Sequence, residues 1–278
     1  MTFFYFTADE PTVESALEDG GYITYIEESG LPEYYSLLNT KNPIYIEFTD
    51  VIQDRYRVNV EWFPDVGLAP FFTGHANINF KLVDQDIQFT VRSELFNIPQ
   101  AIFKNYPEYE INREIIESKK PLKMRYAGLK EPPFEFRDIN FDGTKELVIR
   151  EKRGGQRFYD SFMVHLIQEG EDEASFKVVD LSDMMPYESF DETTEFDWVN
   201  ETVLMYYSGG ACSSSYETYK RVYSDNSLKD YQFELIKKID YETWNDDGDI
   251  PCSKYVYDVV NGKDILIESE SGPVEEIM

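Results

Sequence analysis

Over much of the chain, apolar and polar residues alternate with a period of two. "PIYIEF" (43–48) and "RYRVNVEWF" (55–63) read as half-buried strands. "NINFKL" and "IQFTVR" follow, separated by Val83 to Asp86, and predict a hairpin. The pattern continues through "FEFRDI", "ELVIRE", "FYDSFMVHLI", "SFKVV", "TVLMYYS", "SYETYKRVYS", "QFELIKKI", "KYVYDVV" and "DILIES". Between these runs lie turn pairs such as Asp142-Gly143, Gly154-Gly155, Gly209-Gly210, Asp247-Gly248 and Asn261-Gly262. Short strands with regular turn signals predict a mainly β fold (β-rich α+β), an antiparallel sandwich or blade-like hairpin sheets. Strand–helix alternation is missing, which argues against a doubly wound nucleotide fold.

Helical signals are few and sit mostly near the N-terminus. "DEPTVESALEDGG" offers Asp9 as an N-cap, Pro11 in the first turn and Gly20 as a stop. "IPQAIFKNYPEYEINREIIESKK" suggests one or two short helices interrupted at Pro107. A soft boundary at Pro64 to Pro70 divides an N-terminal α/β extension (1–70) from a mainly β domain (71–278).

Composition sharpens this picture. The 278 residues are 42% hydrophobic, with 20 Phe and 21 Tyr, so a sizeable core forms despite the high charge. The net charge of −28 excludes nucleic-acid binding, which calls for a basic patch. It fits either an acidic, highly soluble protein or a surface that steers in a cationic partner. The acids are unevenly spread. Met1 to Thr40 holds eight acids and no base; Glu169 to Glu201 holds twelve acids and the single base Lys177. Arg113 to Arg157 holds twelve of the 26 bases. The two cysteines, Cys212 and Cys252, would pair in an oxidising compartment and stay free in the cytosol. The N-terminus lacks a basic n-region, and no run of 18 apolar residues is present. The expectation is a cytoplasmic protein with no membrane span, or a periplasmic one if a signal peptide has been removed.

The chemical accent falls on "FRDINFDGTKELVIRE" (136–151). Asp138, Asn140 and Asp142 occupy alternate positions, Gly143 permits a sharp turn, Thr144 offers its carbonyl and Glu146 stands at position 9. Hard cations such as Ca²⁺ take six to eight oxygens of these types. Position 12 is Ile149 and the flanks are strands, so an EF-hand is excluded. The two readings are a structural Ca²⁺ loop between strands and a polar Asp/Asn/Gly turn without metal. "WNDDGDIPC" is acidic too, but its spacing is that of a solvated turn. A Ser or Cys nucleophile in "YSGGACSSSYETYKRVYS" would need a histidine; His75 and His165 stand in no accompanying motif, and "FMVHLI" reads as a packed strand. With 54 acids, no catalytic carboxylate pair can be singled out.

"FEFRDINFDGTKELVI", the aromatic strands after it, and "YYSGGACSSSYETYKRVYSDNSLKDYQFELIKKI" resemble a group of small bacterial β proteins. These share a single integrin-type (FG-GAP-like) Asp-x-Asn-x-Asp-Gly calcium loop, and the resemblance covers roughly 76–240. Characterised members act as inhibitors or immunity proteins that neutralise secreted antibacterial effectors, including lysozyme-like ones. The resemblance implies a metal role for Asp138, Asn140, Asp142, Thr144 and Glu146. The chain departs from the group in its missing signal peptide and its long N-terminal extension, which fit a cytosolic immunity protein better. The expectation is therefore a non-enzymatic immunity protein that occludes the active site of a cognate, basic bacterial toxin. A calcium-dependent adhesion or carbohydrate-binding β module is the alternative, and a carboxylate-dependent hydrolase stands third.

Overall fold

Alternation becomes strand wherever one face of a run can be buried. The computed structural model of the protein describes residues 43–65, 73–98, 113–152, 160–169, 176–184, 186–208, 213–223, 231–243, 251–273 and 277. These divide into two units. The first is drawn from the chain up to Arg137 and from Glu146–Ser182; the second comprises Asp138–Lys145 and the chain from Asp183 on.

The first unit is built on one sheet. Its strands are β1 (Ile44–Phe48), β2 (Tyr56–Asp65), β3 (Thr73–Leu82), β4 (Gln88–Asn97), β5 (Leu122–Met124), β6 (Phe134–Arg137), β7 (Glu146–Lys152), β8 (Asp160–Glu169) and β9 (Phe176–Asp180). Helix α1 (Arg113–Ser118) precedes β5. The order is β5-β1-β2-β3-β4-β7-β8-β9, with β6 paired to β7. Every pairing is antiparallel except β1 with β5. Strand β1 alternates buried Ile44, Ile46 and Phe48 with half-buried Tyr45 and Glu47, as a sheet with one covered face requires.

Trp62, Phe80, Phe96 and Phe134 are fully buried at the centre of this core. Phe80 stacks on Phe89 at 5.0 Å, and Phe134 meets Phe48 and Phe80 edge-on at 5.3 and 5.4 Å. Such pairs contribute about 0.5–1.5 kcal/mol each beyond area burial. Gly74 lies opposite Pro64, and a methyl group there would collide with the Phe63 carbonyl oxygen. His75 stacks on Phe63 at 4.2 Å. Two polar contacts tie strands of this sheet together: Ser93 Oγ donates to Glu151 Oε1 (2.6 Å), and Arg150 Nη1 lies 2.7 Å from Asp160 Oδ2.

The second unit is a meander of β10 (Glu195–Asp197), β11 (Thr202–Ser208), β12 (Ser214–Tyr223), β13 (Tyr231–Thr243), β14 (Pro251–Val260) and β15 (Lys263–Pro273). Its strands lie in chain order and pair antiparallel. Asn261 and Gly262, at φ 53° and 70°, make the tight turn between β14 and β15. Cys252 on β14 is fully buried and disulfide-bonded; the other cysteine of the chain, Cys212, lies outside the described residues.

The mainly β, hairpin-built class expected from the pattern holds. The expected helix at 9–20 and the boundary at residue 70 fall outside the described residues. Strands β2 and β3, on either side of that boundary, pair over ten residues of one sheet. No helix among the described residues is long and apolar enough to cross a membrane.

Candidate functional site

The loop between β6 and β7 is held by its own side chains. Asp138 Oδ1 accepts from the Asp142 amide (3.2 Å) and Oδ2 from the Gly143 amide (3.1 Å). Asn140 Oδ1 accepts from Asp142 N (3.0 Å), and Asp142 Oδ1 accepts from Thr144 N (2.6 Å). Asn140 Nδ2 donates to Asp142 Oδ2 at 3.1 Å. Gly143 takes φ 82°, as the sharp turn demands. The structure thus brings Asp138, Asn140, Asp142 and Thr144 together on one loop. Asn140 is fully buried, Asp138 half-buried, and Asp142 and Thr144 exposed. Glu146 opens β7 with no exposed surface.

Two carboxylates and one carboxamide oxygen at alternate positions are a donor set that fits a hard cation, with main-chain oxygens and water completing it. Among the described residues, no three His, Cys, Asp or Glu side chains gather into a metal-binding group. The hydrogen bonds above also hold the loop as a set of Asx turns.

At the centre of the loop stands Phe141, which no motif in the sequence singles out. Its backbone is left-handed at φ 61°, unusual for a bulky residue. Its ring lies 6.1–6.3 Å from those of Phe196, Trp198 and Phe233. Its carbonyl accepts from Nη1 of buried Arg221 at 2.6 Å, and that guanidinium sits 4.6 Å over the Tyr223 ring. Tyr187 and Phe190 extend this aromatic cluster, Tyr187 meeting Phe233 at 5.9 Å. The loop therefore plugs into the aromatic core of the second unit.

Beside that cluster the turn from β10 to β11 presents Trp198 and Val199, 51% and 92% exposed. Asp197 Oδ1 accepts from the Val199 and Asn200 amides (2.9 and 3.1 Å), and Oδ2 accepts from Asn200 Nδ2 (2.6 Å). The Asn200 side-chain bond, then its backbone bond, hold the Asp197 carboxyl below its usual range. The Trp198 ring packs on Phe196 at 5.7 Å as well as on Phe141. The hydrogen bonds thus fix the backbone of the turn, and the ring contacts fix the side chain of Trp198. Asp183, Glu188, Glu192, Glu195 and Asp197 are exposed acids in the same stretch, and Asp183 to Glu201 contains no Lys or Arg.

No family model and no curated protein matches the sequence. Among solved structures, the chain is similar to one described as the structure of a Xanthomonas type IV secretion system related protein. The TM-score is 0.45 at 13% identity, over 81% of this chain and 93% of that one.

The first unit carries a groove of about 520 Å³ on the open face of β1–β4, its surface mostly apolar with carboxamides set into it. Tyr45, Asn59, Glu61, Asn77, Asn79 and Thr90 line it. Asn77 Nδ2 donates to Glu61 Oε2 (3.0 Å), and Asn79 Nδ2 donates to Thr90 Oγ1 (3.1 Å). His165 is buried on β8, with Nδ1 3.8 Å from Asp180 Oδ1. Burial pulls its pKa below the ordinary value, and the Asp180 and Glu151 carboxylates oppose that in part.

The turn had a readable signal in Asp197-Trp-Val-Asn200, an Asx-turn residue three before an amide. An exposed Trp next to it is the residue type most enriched in binding hot spots.

Proposed function

We propose that the protein is a non-enzymatic inhibitor of the immunity type. It binds a basic bacterial toxin domain through the second unit and occludes that domain's active site. The observation that carries this reading is the Trp198–Val199 turn, a rigid apolar projection within an acid-only stretch. Tryptophan is among the residue types most enriched in binding hot spots, and charged residues rim such contacts. Acids around them steer a cationic partner and repel anionic ones. Asp183 to Met278 holds 22 acids and 7 bases, so more than half of the net charge of −28 lies in about a third of the chain.

The loop at 138–146 serves this reading as a staple. Ca²⁺ would be held by the side-chain oxygens of Asp138, Asn140 and Asp142 and the main-chain oxygen of Thr144, with Glu146 as the fifth expected ligand. The ion would supply folding stability, since the loop's contacts run through Phe141 into packed aromatics. The disulfide at buried Cys252 supports an oxidising compartment, the periplasmic alternative to the cytoplasm.

Titration calorimetry of the purified chain against the product of the neighbouring open reading frame tests the proposal. Tight, salt-sensitive binding is expected, weakened at least about 30-fold by Trp198→Ala, as for a hot-spot residue. Binding that Trp198→Ala leaves intact would remove the turn from the interface.

A second reading, a carbohydrate-binding module, is favoured by the groove on β1–β4. Its carboxamides offer paired donors and acceptors to a polyol. A glycan array with the wild type and Asn77→Ala, with and without chelator, discriminates; a flat array removes this reading.

A further inference from the structure

The last strand of the second unit is unusual as an edge. Among the described residues β15 pairs with β14 and with no other strand, so one side of an eleven-residue strand is left open. Every residue from Asn261 to Ser271 is exposed. Ile265, Leu266 and Ile267 stand consecutively at 49%, 52% and 54% exposure. Natural proteins blunt such edges with short strands, charged side chains, prolines or bulges, because an open apolar edge templates pairing with another chain, and charges on an edge also select which chain can pair. Here the single proline, Pro273, closes the strand. A bulge is present, since Tyr257 pairs with Leu266 and Val256 with Glu268, leaving Ile267 without an opposite residue. That bulge adds a third exposed aliphatic side chain.

We infer that β15 is a docking edge for an extended, positively charged strand of a partner protein. The inference rests on the proposed role as a binder of a basic toxin and assigns one contact of that complex. Two features choose this occupant over a second copy of the chain. Strand β15 carries Asp264, Glu268 and Glu270 against Lys263; Lys254 of β14 lies 3.7 Å from Glu268, which leaves Asp264 and Glu270 facing outward. A second copy would also bring another charge of −28 to the same edge, which mutual repulsion disfavours. A cationic strand with aliphatic residues at alternate positions satisfies both features. Its backbone takes up the open N–H and C=O groups, its apolar face covers the exposed aliphatics, and its bases meet the acids.

The test uses the intact chain and a synthetic decapeptide alternating Val or Thr with Lys or Arg. Two control peptides accompany it, one with Glu in place of each base and one N-methylated at alternate residues. Amide hydrogen exchange at low salt should slow at least tenfold over residues 263–273 with the cationic peptide. Neither control should protect that segment. The Ile265→Thr, Leu266→Thr double variant keeps strand propensity and should bind the peptide at least tenfold more weakly, while Val51→Thr, at an exposed position of the first unit, should bind it as the wild type does. Absence of protection, protection elsewhere, or equal binding of the N-methylated peptide overturns strand addition. Should the double variant lose the peptide but still bind the neighbouring gene product with unchanged affinity, β15 is excluded from that interface and the inhibitor reading stands. Should the wild type bind the peptide at β15 but not that gene product, the inhibitor reading fails while the docking edge remains.

Discussion

Phe141 offers the sharpest test of how the loop is built into the second unit. Replacing it with alanine removes a ring that touches Phe196, Trp198 and Phe233. A fully buried Phe→Ala change costs about 3–5 kcal/mol, and the half-buried Phe141 should lose about half of that, roughly 2 kcal/mol. The backbone at φ 61° adds a second, separable effect. A left-handed conformation costs alanine about 1–2 kcal/mol, whereas glycine adopts it freely. Glycine also brings about 0.4–1 kcal/mol of extra unfolded-state entropy. Phe141→Gly should therefore be more stable than Phe141→Ala by roughly 0.5–1 kcal/mol, although it removes one carbon more. Urea unfolding followed by tryptophan fluorescence, with Trp198 beside the mutated ring, measures both. Two variants of wild-type stability would show that the loop does not plug the core. A glycine variant weaker than the alanine one would refute the backbone part of the reasoning.

Three further outcomes are expected. Below pH 6.5, the ordinary value for histidine, stability should fall. The pKa of His165 is lowered in the fold, so the unfolded chain takes up the proton first; the loss develops from about pH 6.5 down to the folded-state pKa. Urea midpoints at about pH 7.5 and about pH 5.5 check this, and His165→Gln should flatten the slope. Asp160→Ala should cost about 1–3 kcal/mol, because the mostly covered Arg150 guanidinium loses the carboxylate 2.7 Å away. Thermal melts in chelator and in millimolar Ca²⁺ should separate, by the equivalent of about 2.7 kcal/mol once the ion exceeds its Kd a hundredfold. Asp138→Asn with Asp142→Asn should abolish that separation, and an unchanged wild-type melt would make the loop a turn only.

Much of the fold was legible because burial of one face imposes a period of two. "TVLMYYS" became β11 residue for residue, and the Asn261-Gly262 pair marked the β14–β15 turn. Strands β5 and β10 were not legible, since three residues are too few to show a period. The loop was visible through its alternate oxygens, because hydrogen-bonding side chains at fixed spacing leave a local signature. The aromatic cluster around Phe141 was invisible, as it joins residues 141, 196, 198 and 233, which only the tertiary fold brings together. Exposure of Trp198, Val199 and the β15 aliphatics is likewise a property of packing; in the sequence they look like any other core-forming residues.

The proposed inhibition of a basic toxin runs through the Trp198–Val199 surface. Growth of cells expressing the neighbouring open reading frame, alone or with this chain, tests it most directly. Arrest is expected without the chain, rescue by the wild type, and failed rescue by a folded Trp198→Ala, Val199→Glu variant. Normal growth without the chain, or full rescue by that variant, would contradict it.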